Sequence, residues 1–287
     1  MPCSILQSPD FPLEPGPASR EIEQMAEPHF AVASTFSPRF RAVIAEADRV
    51  AKQFGARLSV LHAAERSDEK VAMFHEAFSE LGRGEVDIYW CEGPTPADAI
   101  VDAAASEYFD LLIAGALETT NEFRNFTGGV ARELLQRAPC DVLLLPNPQE
   151  EPPASQTACL MIEAHHPRWH AAREAMAALA PTSIAVLAAD SPFAHARERA
   201  LGHEDDGTEI EALCQSLALI TDDIDFRSVE SNTGFTLCDI VQNTAPDFLL
   251  VEAEWRNRRR YLPPHLDWLN QVIPARLFLL GKPPREE

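Results

Sequence analysis

"GPTPADAIVDAAASEYFDLLIAG", residues 93–115, decides the fold. Ala97, Ile100, Val101, Ala104, Ala105 and Tyr108 recur three and four apart, which draws one apolar stripe along a helix. The run DLLIAG (110–115) that follows is apolar without alternation, the pattern of a strand covered on both faces. A helix feeding directly into a buried strand is half of a parallel βαβ unit.

Working outward, the same rhythm holds on both sides. Upstream lie a strand at 29–35 (HFAVAST), a helix carrying Phe40, Val43, Ile44, Ala47, Val50, Ala51 and Phe54, a strand at 57–65, a helix at 69–81 and a strand at 84–93. Downstream come a short helix from Val130 to Arg137 and a fifth strand at 141–146 (DVLLLP). Five apolar strands with intervening helices predict a parallel sheet with helices on both faces.

After a Pro- and Glu-rich linker in NPQEEPPASQ (147–156) the order repeats. Strands are expected at 158–164, 183–189, 224–230, 247–253 and 276–281. Helices are expected at 169–179, around Ile210–Leu217 and Leu237–Val241, and near Leu266–Val272. Landmarks pair up as well: Pro38 with Pro167, Asp110 with Asp247, Pro139 with Pro274. The chain therefore reads as an internal duplication. Its units are an irregular Pro-rich arm (1–28), a first domain (29–147), a linker (148–156) and a second domain (157–287).

Composition narrows the function. A formal net charge of −21 over 287 residues repels nucleic acid and anionic membranes as partners. No segment approaches the roughly eighteen consecutive apolar residues of a membrane helix. The six cysteines (3, 91, 140, 159, 214 and 238) are scattered without a CxxC pair, which suits small core residues in a reducing, cytoplasmic setting and argues against structural zinc. GxSxG, HExxH and a recognisable Cys–His pairing are all missing, so catalytic machinery has no sequence anchor.

The segments STFSPRF (34–40), ARLSVLHAAE (56–65), 93–115 and GGVARELLQRAPCDVLLLP (128–146) together resemble the universal stress protein family, well over 29–147 and weakly in the second repeat. The resemblance implies two tandem Rossmann-like α/β domains, each a five-stranded parallel sheet, packed so that the repeats imitate a homodimer. It also implies a nucleotide crevice whose loop has glycine, two residues, glycine, nine residues, glycine, then Ser or Thr. Glycines let backbone N–H groups approach phosphate, and a helix N-terminus adds its dipole.

Here Gly115 and Gly128 keep the outer spacing, Glu118 stands at the middle glycine and Gly129 at the hydroxyl residue. Thr35 stands where nucleotide-binding members carry an Asp, and Ala63 falls where the base packs. A carboxylate about 4 Å from a phosphate charge costs roughly 1 kcal/mol in water and about 4 at an effective dielectric near 20. Three readings of the loop follow: a tight entry into the last helix with the crevice empty, an adenine nucleotide held weakly, or another small ligand at the strand ends.

In the second repeat Glu252 takes the place of Gly115, and the loop becomes EWRNRRRYLPPH (254–265). Arg256, Arg258, Arg259 and Arg260 there are expected either to contact a phosphate or acidic partner, or to be solvated and paired with the acidic body. Glu163, His165, His166 and His170 have partial zinc-ligand spacing, but Pro167 should begin the helix and leave His166 at its cap, so polar loop histidines at a strand end are the preferred reading and no metal is expected. His62 and His75 read as ordinary, and HEDDG (203–207) as a solvated loop. The expected function is a non-catalytic stress-response protein with a degenerate crevice. No cofactor is expected beyond weakly held ATP, and partners beyond the pseudo-dimer are a further copy or another protein. The alternatives are an ATP-binding or slowly hydrolysing switch and a scaffold using the arginine loop.

Overall fold

The computed structural model describes residues 27–121, 124–151, 153, 155–165, 167–190, 208–230 and 234–283, with the side chains of 117–126 and 264 excepted. The N-terminal arm up to residue 26, His166 and the 203–207 run fall outside the described residues.

In the first half, β1 (His29–Ala33), β2 (Arg57–His62), β3 (Ile88–Trp90), β4 (Leu111–Gly115) and β7 (Asp141–Leu145) alternate with α1 (Phe40–Gln53), α2 (Asp68–Glu80), α3 (Pro96–Ser106) and α4 (Gly129–Arg137). The second half has β8 (Thr157–Glu163), β9 (Ser183–Asp190), β10 (Ile224–Glu230), β11 (Phe248–Glu252) and β14 (Arg276–Leu280). Its helices are α5 (His170–Leu179), α6 (Thr208–Leu217) and α7 (Phe235–Thr244), followed by a 3₁₀ segment, Pro264–Asn270. Local chemistry sets several starts. Ser67 and Thr95 accept from the N–H groups of Lys70 and Asp98, capping α2 and α3, and Pro96 opens α3 where a missing N–H costs nothing.

The strands form one sheet in the order β10-β9-β8-β11-β14-β7-β4-β1-β2-β3. Each half thus runs third-second-first-fourth-fifth, the doubly wound order. All pairings in it are parallel except the central one, where β7 and β14 run antiparallel with Leu277 opposite Leu144, Phe278 opposite Leu143 and Leu279 opposite Val142. The fifth strands have therefore zipped the halves edge to edge, which removes two exposed sheet edges at once.

Side-chain alternation across that seam builds two apolar layers, each running through both halves. Val142, Leu144, Leu277 and Leu279 belong to one layer, and Leu143, Leu145, Phe278 and Leu280 to the other. Charge reinforces the seam. Arg276 pairs with Glu46 of α1, which is buried, and lies 3.6 Å from Asp247. Gly281 follows β14 at φ 131°, and a Cβ there would lie 2.3 Å from the Ala253 carbonyl oxygen. Its N–H donates to Asp141 across the seam, 2.9 Å.

Three local expectations change. The strand anticipated at 84–93 contracts to Ile88–Trp90, because β3 is an edge strand with only β2 to pair with. The helix near Leu266–Val272 is the tighter 3₁₀ turn at 264–270. The stretches after β4 and β11, anticipated as loops, are antiparallel hairpins: β5 (Leu117–Asn121) with β6 (Arg124–Thr127), and β12 (Glu254–Arg256) with β13 (Arg259–Tyr261).

Candidate functional site

In a doubly wound sheet the ligand crevice opens beyond the carboxyl ends of the first and fourth strands, where the strand order reverses. This protein has two such places. Register makes them comparable: Ala33 pairs with Ala114 in the first half, and Met161 with Val251 in the second. Counting two residues on from Ala33 and Met161 gives Thr35 and Glu163. Counting one on from Ala114 and Val251 gives Gly115 and Glu252, the equivalence anticipated from sequence.

In the first half Thr35 and Gly115 are exposed and Ala63 is half-buried. The three stand at the ends of β1, β4 and β2, so the structure brings them to one end of the sheet. A Cβ on Gly115 would meet only Val43 of α1, at 3.5 Å, so the floor of the crevice is not crowded there. Glu118 lies on β5, and its side chain is outside the described residues.

The head of α4 is different from a phosphate cradle. Gly128 is its N-cap residue, without a side-chain cap, and Gly129 is its first residue. The Gly128 N–H donates to the Ala116 carbonyl at 3.0 Å, closing the base of the β5–β6 hairpin. The Thr127 N–H donates to the carbonyl of Gln271, also at 3.0 Å, and Gln271 comes from the other half. Arg132 of α4 adds a bond from Nε to the Asn270 carbonyl, 3.0 Å. Two backbone N–H groups just before α4 are thus engaged within the chain, one by the hairpin and one across the seam.

In the second half a side chain of the fourth strand's end narrows the crevice. Glu252 Oε1 accepts from the Ala172 N–H at 2.8 Å, and the Ala171 N–H adds to it, so the carboxylate caps the start of α5. Burial pushes the Glu252 carboxyl above its ordinary range, and the two N–H donors only partly offset this. Beside it Glu163, Arg168, Glu252, Glu254 and Tyr261 line a cleft of about 40 Å³. That is space for a few waters rather than for a nucleotide.

The arginines of the second hairpin separate into two groups, which the sequence did not anticipate. Arg260 is 6% exposed and faces the seam. It donates from Nη1 to the Leu135 carbonyl at 3.1 Å, from Nε to the Gly281 carbonyl at 3.2 Å, and from Nη2 to the Cys140 carbonyl. Leu135 lies in the last turn of α4, where carbonyls lack helical partners and a cation is favoured. Asp141 is the nearby acid, and burial pushes its carboxyl up. Arg260 is therefore not available to an outside anion; alternation along β13 points it inward while its neighbours point out.

Arg256, Arg258 and Arg259 are exposed. His62 is buried, its Nδ1–H donating to the Ser34 carbonyl at 2.8 Å while Phe36, Phe74 and Trp90 surround the ring. Burial lowers its pKa and holds it neutral. His165 sits 3.9 Å from Asp190, and among the described residues no group of three or more His, Cys, Asp or Glu is placed to hold a metal ion. Among the described residues no helix is long and apolar enough to cross a membrane.

The paired crevices and the strand order define a doubly wound, Rossmann-like α/β protein. Residues 77–146 match the sequence profile of the Universal stress protein family. Three solved structures share the fold. A putative universal stress protein from Pseudomonas aeruginosa UCBPP-PA14 has 14% identity and a TM-score of 0.64, covering 89% of this chain and 94% of its own. A functionally unknown protein from Pseudomonas aeruginosa PAO1 has 12% identity and a TM-score of 0.63, covering 90% and 93%. A universal stress protein from Archaeoglobus fulgidus DSM 4304 has 10% identity and a TM-score of 0.62, covering 89% and 98%. No curated protein sequence matches the chain.

Proposed function

We propose that this protein is a non-catalytic, cytoplasmic stress-response protein of universal-stress type in which the nucleotide crevice of the first half is degenerate and that of the second is sealed. The observation that carries this reading is the head of α4. There the N–H groups of Thr127 and Gly128 are spent on Gln271 and Ala116 within the chain. A phosphate arriving there would have to displace two formed hydrogen bonds, one of which holds the halves together. Glu252 supports the reading from the other side, since a carboxylate seated on a helix N-terminus takes the place an anion would want.

Thermal unfolding with and without millimolar ATP and magnesium tests it. A ligand present at about 100 times its Kd stabilises by about 2.7 kcal/mol, and for a domain of 150–250 residues each kcal/mol raises Tm by about 2–4 °C. The expected result is no resolvable rise. A rise of several degrees would instead establish the ATP-binding switch.

A further inference from the structure

The exposed tip of the second hairpin breaks two local rules that its surroundings do not require. Register makes the connection a two-residue turn, Asn257–Arg258, with φ of 50° and 61°. Such a turn favours Asn followed by glycine, because both positions are left-handed; here an arginine stands at the second. Arg256 and Arg259 face each other directly across the ladder, and like charges at that spacing repel. The side chains of Arg258 and Arg259 are exposed and have no hydrogen-bond or ion-pair partner among the described residues. Glu254 and the Tyr261 ring offset the charge of Arg256, but among the described residues nothing offsets Arg258 or Arg259.

The base of the hairpin is also anchored. Arg260 roots β13 in the seam through three carbonyls, and Arg256 is fixed over the Tyr261 ring at 4.4 Å and paired with Glu254. Three guanidiniums within four residues therefore project from a rigid base on a chain of net charge −21. Preorganised forks of this kind suit carboxylates.

We propose that the 256–259 hairpin tip is a docking surface for a short acidic peptide segment of another protein. The body's own charge selects this partner. An extended polyanion or an anionic bilayer meets the −21 body as well as the tip, whereas a short segment meets mainly the tip. Partly exposed Tyr261 offers the segment an apolar neighbour.

The probe is a short fluorescein-labelled peptide rich in Asp and Glu, followed by anisotropy at two salt concentrations. Duplex DNA, phosphatidylserine vesicles and the unlabelled protein in sedimentation serve as parallel arms. Expected is saturable peptide binding that weakens with salt and falls at least about tenfold when Arg258→Glu is combined with Arg259→Glu. Arg258→Gly separates docking from folding, because glycine suits the turn: its Tm should rise while peptide binding weakens. The proposal is overturned by absent peptide binding, by equal affinity in the variants, by tighter binding of DNA or vesicles, or by an arginine-dependent dimer that excludes the peptide.

Discussion

The two halves share a strand order and a register, yet the ends of their fourth strands are built by different means. The first keeps a glycine at the end of its fourth strand, and the N–H groups of Thr127 and Gly128 before α4 bond to Gln271 of the other half and to Ala116. The second puts Glu252 where Gly115 stands and seats that carboxylate on α5. Shared features mark the common frame. The N–H after the fourth strand donates to the last residue of the fifth in both halves, Ala116 to Leu145 and Ala253 to Leu280. The lesson is that the two hairpins act as a clasp: both reach across the seam.

The largest effect is expected from breaking that clasp. Arg260→Ala leaves three carbonyls unpaired and Asp141 without its cation at a buried boundary, and should cost about 3 kcal/mol or more in chemical denaturation. A loss below about 1 kcal/mol would mean that the halves hold without it.

Next come paired substitutions that should act alike in both halves. Tyr108 and Ala245 each lie three residues before the matched positions Leu111 and Phe248, and both are left-handed, at φ 53° and 47°. Replacing either by glycine should stabilise by about 1 kcal/mol, read as an increase in denaturation midpoint. Unequal gains would show that the turns differ more than their backbones do.

A smaller effect, with a pH signature, is expected at Glu252. Glu252→Ala should lose about 1 kcal/mol with the cap. Glu252→Gln keeps the acceptor and removes the charge. Because burial raises the folded pKa, the native carboxyl favours its protonated form, and its contribution to stability is lost as pH rises from the unfolded value through the folded one. The Gln variant should therefore gain on the native protein across that window when both are unfolded at stepped pH.

The smallest effect belongs to Gly115→Ala. With Val43 3.5 Å from the new Cβ, stability should change by less than about 0.5 kcal/mol.

Much of the frame was legible because period and composition dictate it. Strands such as 110–115 and 141–146 are apolar on both faces, and only a covered parallel sheet accommodates that. The equivalence of Gly115 with Glu252 was also readable. The hairpins were not, since residues 116–127 and 254–261 are rich in polar and charged residues and their pairing is set by contacts with the other half. Arg260 illustrates the limit: in sequence it is one of four similar arginines, and only the strand's alternation and the seam turn it into a buried pin. Long-range hydrogen bonds such as Thr127 to Gln271 leave no local signature.

The central claim concerns two amides, and hydrogen exchange resolved at Thr127 and Gly128 tests it most directly, with and without magnesium and ATP. Donated within the chain, both should exchange slowly without ligand and at the same rate when nucleotide is added. Fast exchange that slows only with ATP would show that these groups are kept for phosphate, and would contradict the account.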